Sequence, residues 1–140
     1  MEIYRDGTSP TNRAPEATFT GDVRIGGYFQ RAAPSRLGGA TVTFPPGART
    51  PWKVNPLGQT LIVTSGVGWT QSEGEAIVEI RAGDRIWYPP GQRHWDGATP
   101  DQAMTCVAIQ EFQGGSSVEF LEKVTDEEYQ QGPPAASSRR

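Results

Sequence analysis

Lys53 and His94 are the side chains of this chain best suited to attacking a carbonyl or moving a proton. His94 is the sole histidine, and Lys53 is one of two lysines, the other being Lys123. Asn55 and Gln59 follow Lys53 closely, so an amine, an imidazole and two amides are candidates for one site. An imidazole changes charge near neutrality and can take up or return a proton. A desolvated amine can add to a carbonyl to form an iminium, or act as a base. The amides can donate hydrogen bonds to a substrate oxygen.

Glycines and prolines set the spacing of these groups. The first run reads Gly47, five residues, Lys53, Asn55 two positions on, three residues, Gln59, six residues, Gly66. The second reads Gly83, five residues, Pro89-Pro90-Gly91, two residues, His94. Alternate side chains of a strand share a face, so Lys53 and Asn55 point the same way. These spacings match the two motifs of the cupin family, in which a glycine precedes His-x-His, a Glu or Gln and a second glycine, followed later by G-x5-P-x-G-x2-H. Lys53 and Asn55 stand where the first motif has its histidines.

The runs ART-P-W-x-x-x-PLGQTLIVT-x-G-x-GW and GD-x-x-WY-x-PG-x-x-HW, within roughly residues 20–125, resemble small bacterial single-domain cupins, a group that includes manganese-dependent hydroxynitrile lyases. The resemblance implies an all-β jelly-roll barrel (a double-stranded β-helix) in which residues 53, 55, 59 and 94 converge. In such relatives those positions hold a metal. Imidazole is a good ligand for Mn, Fe, Ni or Zn, an amide oxygen is a weak one, and an ammonium is none. The expectation is therefore a site without metal or other cofactor. The alternative is a divalent Mn, Fe, Ni or Zn held by Asn55, Gln59 and His94.

Lys53 admits three readings. It points to solvent, or it is a passenger in a decayed site, or it sits in the cup among Trp52, Val42, Phe44, Leu61 and Trp87. In the last case burial disfavours the charged form of the amine. Lys53 is then nucleophile or base, His94 the proton shuttle, and Gln59 and Asn55 donors to the substrate oxygen. The likeness to lyases suggests carbon–carbon chemistry on a small carbonyl substrate, of aldol, nitroaldol or cyanohydrin type. A metal-dependent hydroxynitrile lyase or dioxygenase-like cupin, and a non-catalytic small-molecule binder, remain as alternatives. Ala40, Val42, Thr50, Trp87, Asp96, Cys106 and Gln110 are the candidate substrate-lining residues. Cys106 and Gln110 share strand parity with Met104 and Ala108. Asp96 either pairs with Lys53, which opposes the nucleophile reading, or faces solvent in a turn before Gly97, the reading preferred from sequence.

The elements that must position these groups are short strands. Seventeen glycines and twelve prolines punctuate brief apolar stretches, as in a sandwich or barrel. Residues 1–20 read as an arm with a short strand, 21–125 as the barrel, and 126–140 as a helical turn with a disordered tail. Within the barrel, strands are expected at Val23–Ile25, Gly39–Phe44, Gln59–Ser65 ending at Gly66, Asp84–Tyr88, Met104–Phe112 and Val118–Val124. A hairpin pairs Val67–Gln71 with Ala76–Ile80. Phe29–Leu37 reads as a loop. Thr125 and Glu128 form a capping box. Trp69, Trp87 and Trp95 supply area to a core, an interface or a pocket wall.

The chain has 140 residues, enough for one core, with a net charge of −3 and no basic cluster of the kind nucleic acid requires. One cysteine permits no internal disulfide, which fits a reducing cytoplasm. The N-terminus has no apolar signal segment, and no apolar run is long enough for a bilayer. The partners expected are a small carbonyl compound and further copies of the chain in a homodimer or homotetramer, with neither nucleic acid nor membrane.

Overall fold

The computed structural model describes residues 1–134. The strands are β1 (Thr11–Arg13), β2 (Arg24–Gln30), β3 (Leu37–Phe44), β4 (Lys53–Val54), β5 (Gln59–Ser72), β6 (Val78–Arg81), β7 (Arg85–Tyr88), β8 (His94–Ala98), β9 (Met104–Glu111) and β10 (Glu119–Phe120). One helix, α1 (Asp126–Gln130), follows. Every strand pairing is antiparallel.

The long strand β5 belongs to two sheets. Its first half lies between β9 and β7, extending a sheet that continues through β3 and β2 to β1. Its second half lies between β6 and β8, and β8 leads on to β4 and β10. The transfer occurs at a register shift between Val63 and Ser65. Gly66 follows with φ +79°, and a Cβ there would lie 2.0 Å from the Ala103 carbonyl oxygen. Only glycine serves at such a bend. The strand expected to stop at Gly66 therefore turns the corner instead of ending.

Alternation builds the interior. Phe44 of β3, Leu61 and Val63 of β5, Met104 and Cys106 of β9 and Ile80 of β6 are buried together with Phe19, Val23 and Tyr88. This apolar cluster fills the space between the sheets. A second cluster lies on the opposite face of the β4–β8 sheet, where Trp52, Ile77, Trp95, Val124 and Tyr129 pack with Trp69 and Leu121. α1 covers it. The Thr125 hydroxyl accepts from the Glu128 amide at 3.1 Å and the Glu128 carboxylate accepts from the Thr125 amide at 2.9 Å, so the expected capping box is present. The buried Arg49 guanidinium donates to the Val124 carbonyl at 2.9 Å and to Asp126 at 2.8 Å, and lies over the Tyr129 ring.

Several boundaries differ from the sequence reading. The expected strand at Val118–Val124 shortens to Glu119–Phe120, which pairs with β4. β2 runs on to Gln30 past the bulge between Gly26 and Phe29, leaving only residues 31–36 as loop. The strand of the N-terminal arm begins only at Thr11. Residues 135–140, read as a disordered tail, lie outside the described residues. No helix among the described residues is long and apolar enough to cross a membrane.

Candidate active site inside the barrel

β4 and β8 are paired with Lys53 opposite His94, and β8 pairs with β5 so that Asp96 lies opposite Thr70. Strand alternation then puts His94 and Asp96 on one face of β8 and Trp95 on the other, in the second cluster. Lys53, Asn55, Gln59, His94 and Asp96 are all buried. The Lys53 ammonium lies 2.8 Å from Asp96 Oδ1, with the two side chains 6% and 2% exposed. It also donates to Gln59 Oε1 at 3.1 Å. Gln59 Nε2 donates to Gln110 Oε1 at 3.0 Å, and the strands hold these two residues opposite one another.

Lys53 therefore points into the barrel. Asp96 does not face solvent: its backbone amide donates to the Thr50 hydroxyl at 3.2 Å and its carbonyl accepts from the Thr50 amide at 2.9 Å, which fixes β8 with the carboxylate inward. A carboxylate this close stabilises the protonated amine. A protonated amine has no lone pair with which to attack a carbonyl. Asp96 Oδ1 meets Lys53 as an ion pair off the hydrogen-bonding direction and has no other donor among the described residues.

Both ring nitrogens of His94 face oxygen. Nδ1 lies 2.9 Å from the Gln92 carbonyl and Nε2 lies 3.3 Å from Gln59 Oε1. A neutral imidazole carries one proton, so only one of these contacts is a hydrogen bond. Both oxygens only accept, and the Nδ1 contact is the shorter, while Gln59 Oε1 already accepts from Lys53. The proton thus belongs on Nδ1, and Nε2 presents a bare lone pair beside the ammonium. Burial pushes His94 down to about 4, the Lys53 cation adds to this, and the Gln92 hydrogen bond and Asp96 oppose it. His94 is a neutral base through the ordinary pH range.

Two residues that hold this imidazole enter the sequence reading only as strand positions, not as site residues. Tyr88 stacks on it with ring centroids 3.7 Å apart and an interplanar angle of 11°. The Tyr88 hydroxyl lies 2.6 Å from the Thr70 hydroxyl, which donates to the Trp95 carbonyl at 2.8 Å. The Thr70 proton is committed to that carbonyl, so Tyr88 is the donor to Thr70. The only sequence clue is the parity of β7, which puts Tyr88 opposite Gln59 once the pairing is known.

The other expected residues divide. Val42 and Val63 flank Cys106, and Ala40 and Leu61 flank Ala108, in register across β3, β9 and β5. Burial, with help from the Asp96 charge, pushes the Cys106 thiol far up, so Cys106 is an inert wall residue. Trp87 does not line the cup: it is 57% exposed, and its indole lies where a Cβ on Gly58 would collide. Its parity is opposite to that of Tyr88. Trp52 belongs to the second cluster rather than beside Lys53. Asn55 is not free to donate to a substrate oxygen in the way expected. Its Nδ2 donates to the Ser117 carbonyl at 2.9 Å, and its Oδ1 is buried without a partner.

A divalent ion would have to displace the Lys53 ammonium from this donor set. The ammonium occupies the ground between Gln59 and Asp96, one imidazole nitrogen is the only strong neutral donor, and the Asn55 amide is tied to the backbone. No group of three or more His, Cys, Asp or Glu side chains with metal-binding geometry occurs among the described residues.

A family model described as a cupin domain matches residues 40–110, which holds the whole of this constellation. The chain belongs to the cupin family. This cupin is 54% identical over 129 residues to an (R)-mandelonitrile lyase from Granulicella tundricola, covering 92% of this chain and 98% of that one. Among solved structures, it matches a cupin-like protein from Thermotoga maritima with a TM-score of 0.81 and 31% identity, over 96% of this chain and 99% of that one. The polyketide cyclase RemF from Streptomyces resistomycificus shares the fold at a TM-score of 0.72 and 13% identity, over 93% and 91% of the two chains.

Proposed function

We propose that this cupin is a carbon–carbon lyase acting on small carbonyl adducts, with a cyanohydrin as the first substrate to test, and that it works without a metal. The observation that carries this reading is the buried His94 imidazole, whose Nε2 lies 3.3 Å from the Gln59 Oε1 that also accepts from the Lys53 ammonium. The 54% identity to a mandelonitrile lyase supports the cyanohydrin among the aldol, nitroaldol and cyanohydrin types.

In cleavage, His94 Nε2 removes the hydroxyl proton of the cyanohydrin. The oxygen lone pair closes the carbonyl as the carbon–carbon bond breaks, and that bond pair leaves as cyanide. The Lys53 ammonium stabilises the departing anion and gives it a proton, producing HCN. The proton on His94 then returns to Lys53, and the site is reset. Groups already oriented for the charge that develops cost no rearrangement during the reaction. Asp96 holds Lys53 in an ion pair, and Gln59, held by Gln110, orients it. Lys53 acting instead as an imine-forming nucleophile requires a prior proton transfer to Asp96. The ion pair therefore favours the acid role.

The test is release of benzaldehyde from mandelonitrile, followed by its absorbance, with metal content measured on the same sample. Activity that survives chelation and is lost in Lys53→Met and His94→Ala supports the reading. Near-stoichiometric Mn, Fe, Ni or Zn on which activity depends would overturn it. Borohydride treatment with benzaldehyde should leave the intact mass unchanged. A mass adduct absent from Lys53→Met would replace the acid role by the imine route.

A further inference from the structure

We propose that Tyr88 is a positioning residue for His94: its ring, clamped through Thr70, holds the imidazole in the rotation that gives the Nδ1 proton to Gln92 and leaves Nε2 turned toward Lys53 and Gln59. The role of the held base rests on the lyase reading, but the positioning itself does not.

The geometry supports this at three points. The near-parallel stack at 3.7 Å means that rotating the imidazole about its side-chain bond drives a ring edge into the face of Tyr88. Tyr88 cannot turn with it, because its hydroxyl donates to Thr70, whose own hydroxyl is committed to the carbonyl of Trp95. Trp95 is the neighbour of His94 on β8, so the clamp closes on the strand that carries the imidazole. The ionisable groups that act on the ring are Lys53 from β4 and Asp96 from β8, with Tyr88 stacked on it. Burial and the Asp96 charge hold the Tyr88 hydroxyl well above its usual range, so it remains a neutral donor to Thr70. A Phe in place of Tyr88 keeps the ring face, whereas an aliphatic residue removes it.

The sole histidine allows a direct measurement. Protein labelled with 15N-histidine has one pair of ring-nitrogen signals, which reports the tautomer without assignment. At neutral pH the wild type should show a protonated Nδ1 and a bare Nε2. Tyr88→Phe should retain that pattern, and Tyr88→Leu should give a mixture of both tautomers in exchange. Where Tyr88→Leu fails to fold, Tyr88→Met is read in the same way. In mandelonitrile cleavage, the aliphatic variant should lose about tenfold in kcat with little change in KM, as expected for a misplaced base. An aliphatic variant that folds and keeps the pure Nδ1–H form overturns the proposal. A tautomer change in a protein that never cleaves cyanohydrins upholds the positioning and removes only the lyase reading.

Discussion

Neutralising one partner of the Lys53–Asp96 pair should be far more damaging than removing both. The charges lie 2.8 Å apart with side chains 6% and 2% exposed. At an effective dielectric of about 20 their attraction is on the order of 6 kcal/mol. The desolvation of both ions offsets most of it, so the intact pair adds little net stability. In Lys53→Met the Asp96 carboxylate is left buried with neither ion partner nor hydrogen-bond donor, and a loss of about 3–5 kcal/mol is expected. Asp96→Asn leaves a buried ammonium and should cost a similar amount. The double variant should recover most of the loss, giving a strong favourable coupling. Urea unfolding of all four proteins, with a common slope, measures each step. Two single variants each costing under about 1 kcal/mol, or strictly additive costs, would refute the argument that the cup isolates this pair from water.

The folded-state depression of His94 from 6.5 to about 4 makes stability depend on pH. Below the unfolded value the unfolded chain takes up the proton first, so stability falls as pH drops from about 6.5 to 4, by about 3 kcal/mol, and is unaffected above that window. Urea midpoints should show this slope in the wild type and lose it in His94→Gln. Arg49→Ala removes the donor to Val124 and the ring contact with Tyr129, and should cost about 2 kcal/mol, with faster hydrogen exchange concentrated in α1. Cys106 should resist a water-soluble thiol reagent in the native protein and react completely on unfolding; labelling at the rate of a free thiol would contradict its burial.

The glycine and proline framework made the barrel legible, because Gly47, Gly66, Gly83 and Gly91 all take positive φ at turns or bends that other residues resist. The cupin resemblance implied that residues 53, 55, 59 and 94 converge, and strand parity put Cys106 and Gln110 on one face of the late strand without saying which way that face turns. Parity did not reveal pairing. Asp96 reads as a turn residue because it precedes a glycine, yet that glycine packs against Arg49, where a Cβ would lie 2.5 Å from the side chain, and the strand continues. Trp87 and Tyr88 are adjacent aromatics, and only the register with β5 tells which one faces inward. Asn55 reads as a site amide from its place in the motif. The partner that occupies it, the Ser117 carbonyl, comes from a loop 62 positions away, which no local pattern announces.

One ammonium and one carboxylate at the heart of the barrel cancel. A divalent centre projects a monopole outward and draws anions from a distance, but two opposed charges this close present only a dipole, whose field fades much faster. Small anions and neutral molecules should therefore reach the cup at similar rates, with little dependence on ionic strength.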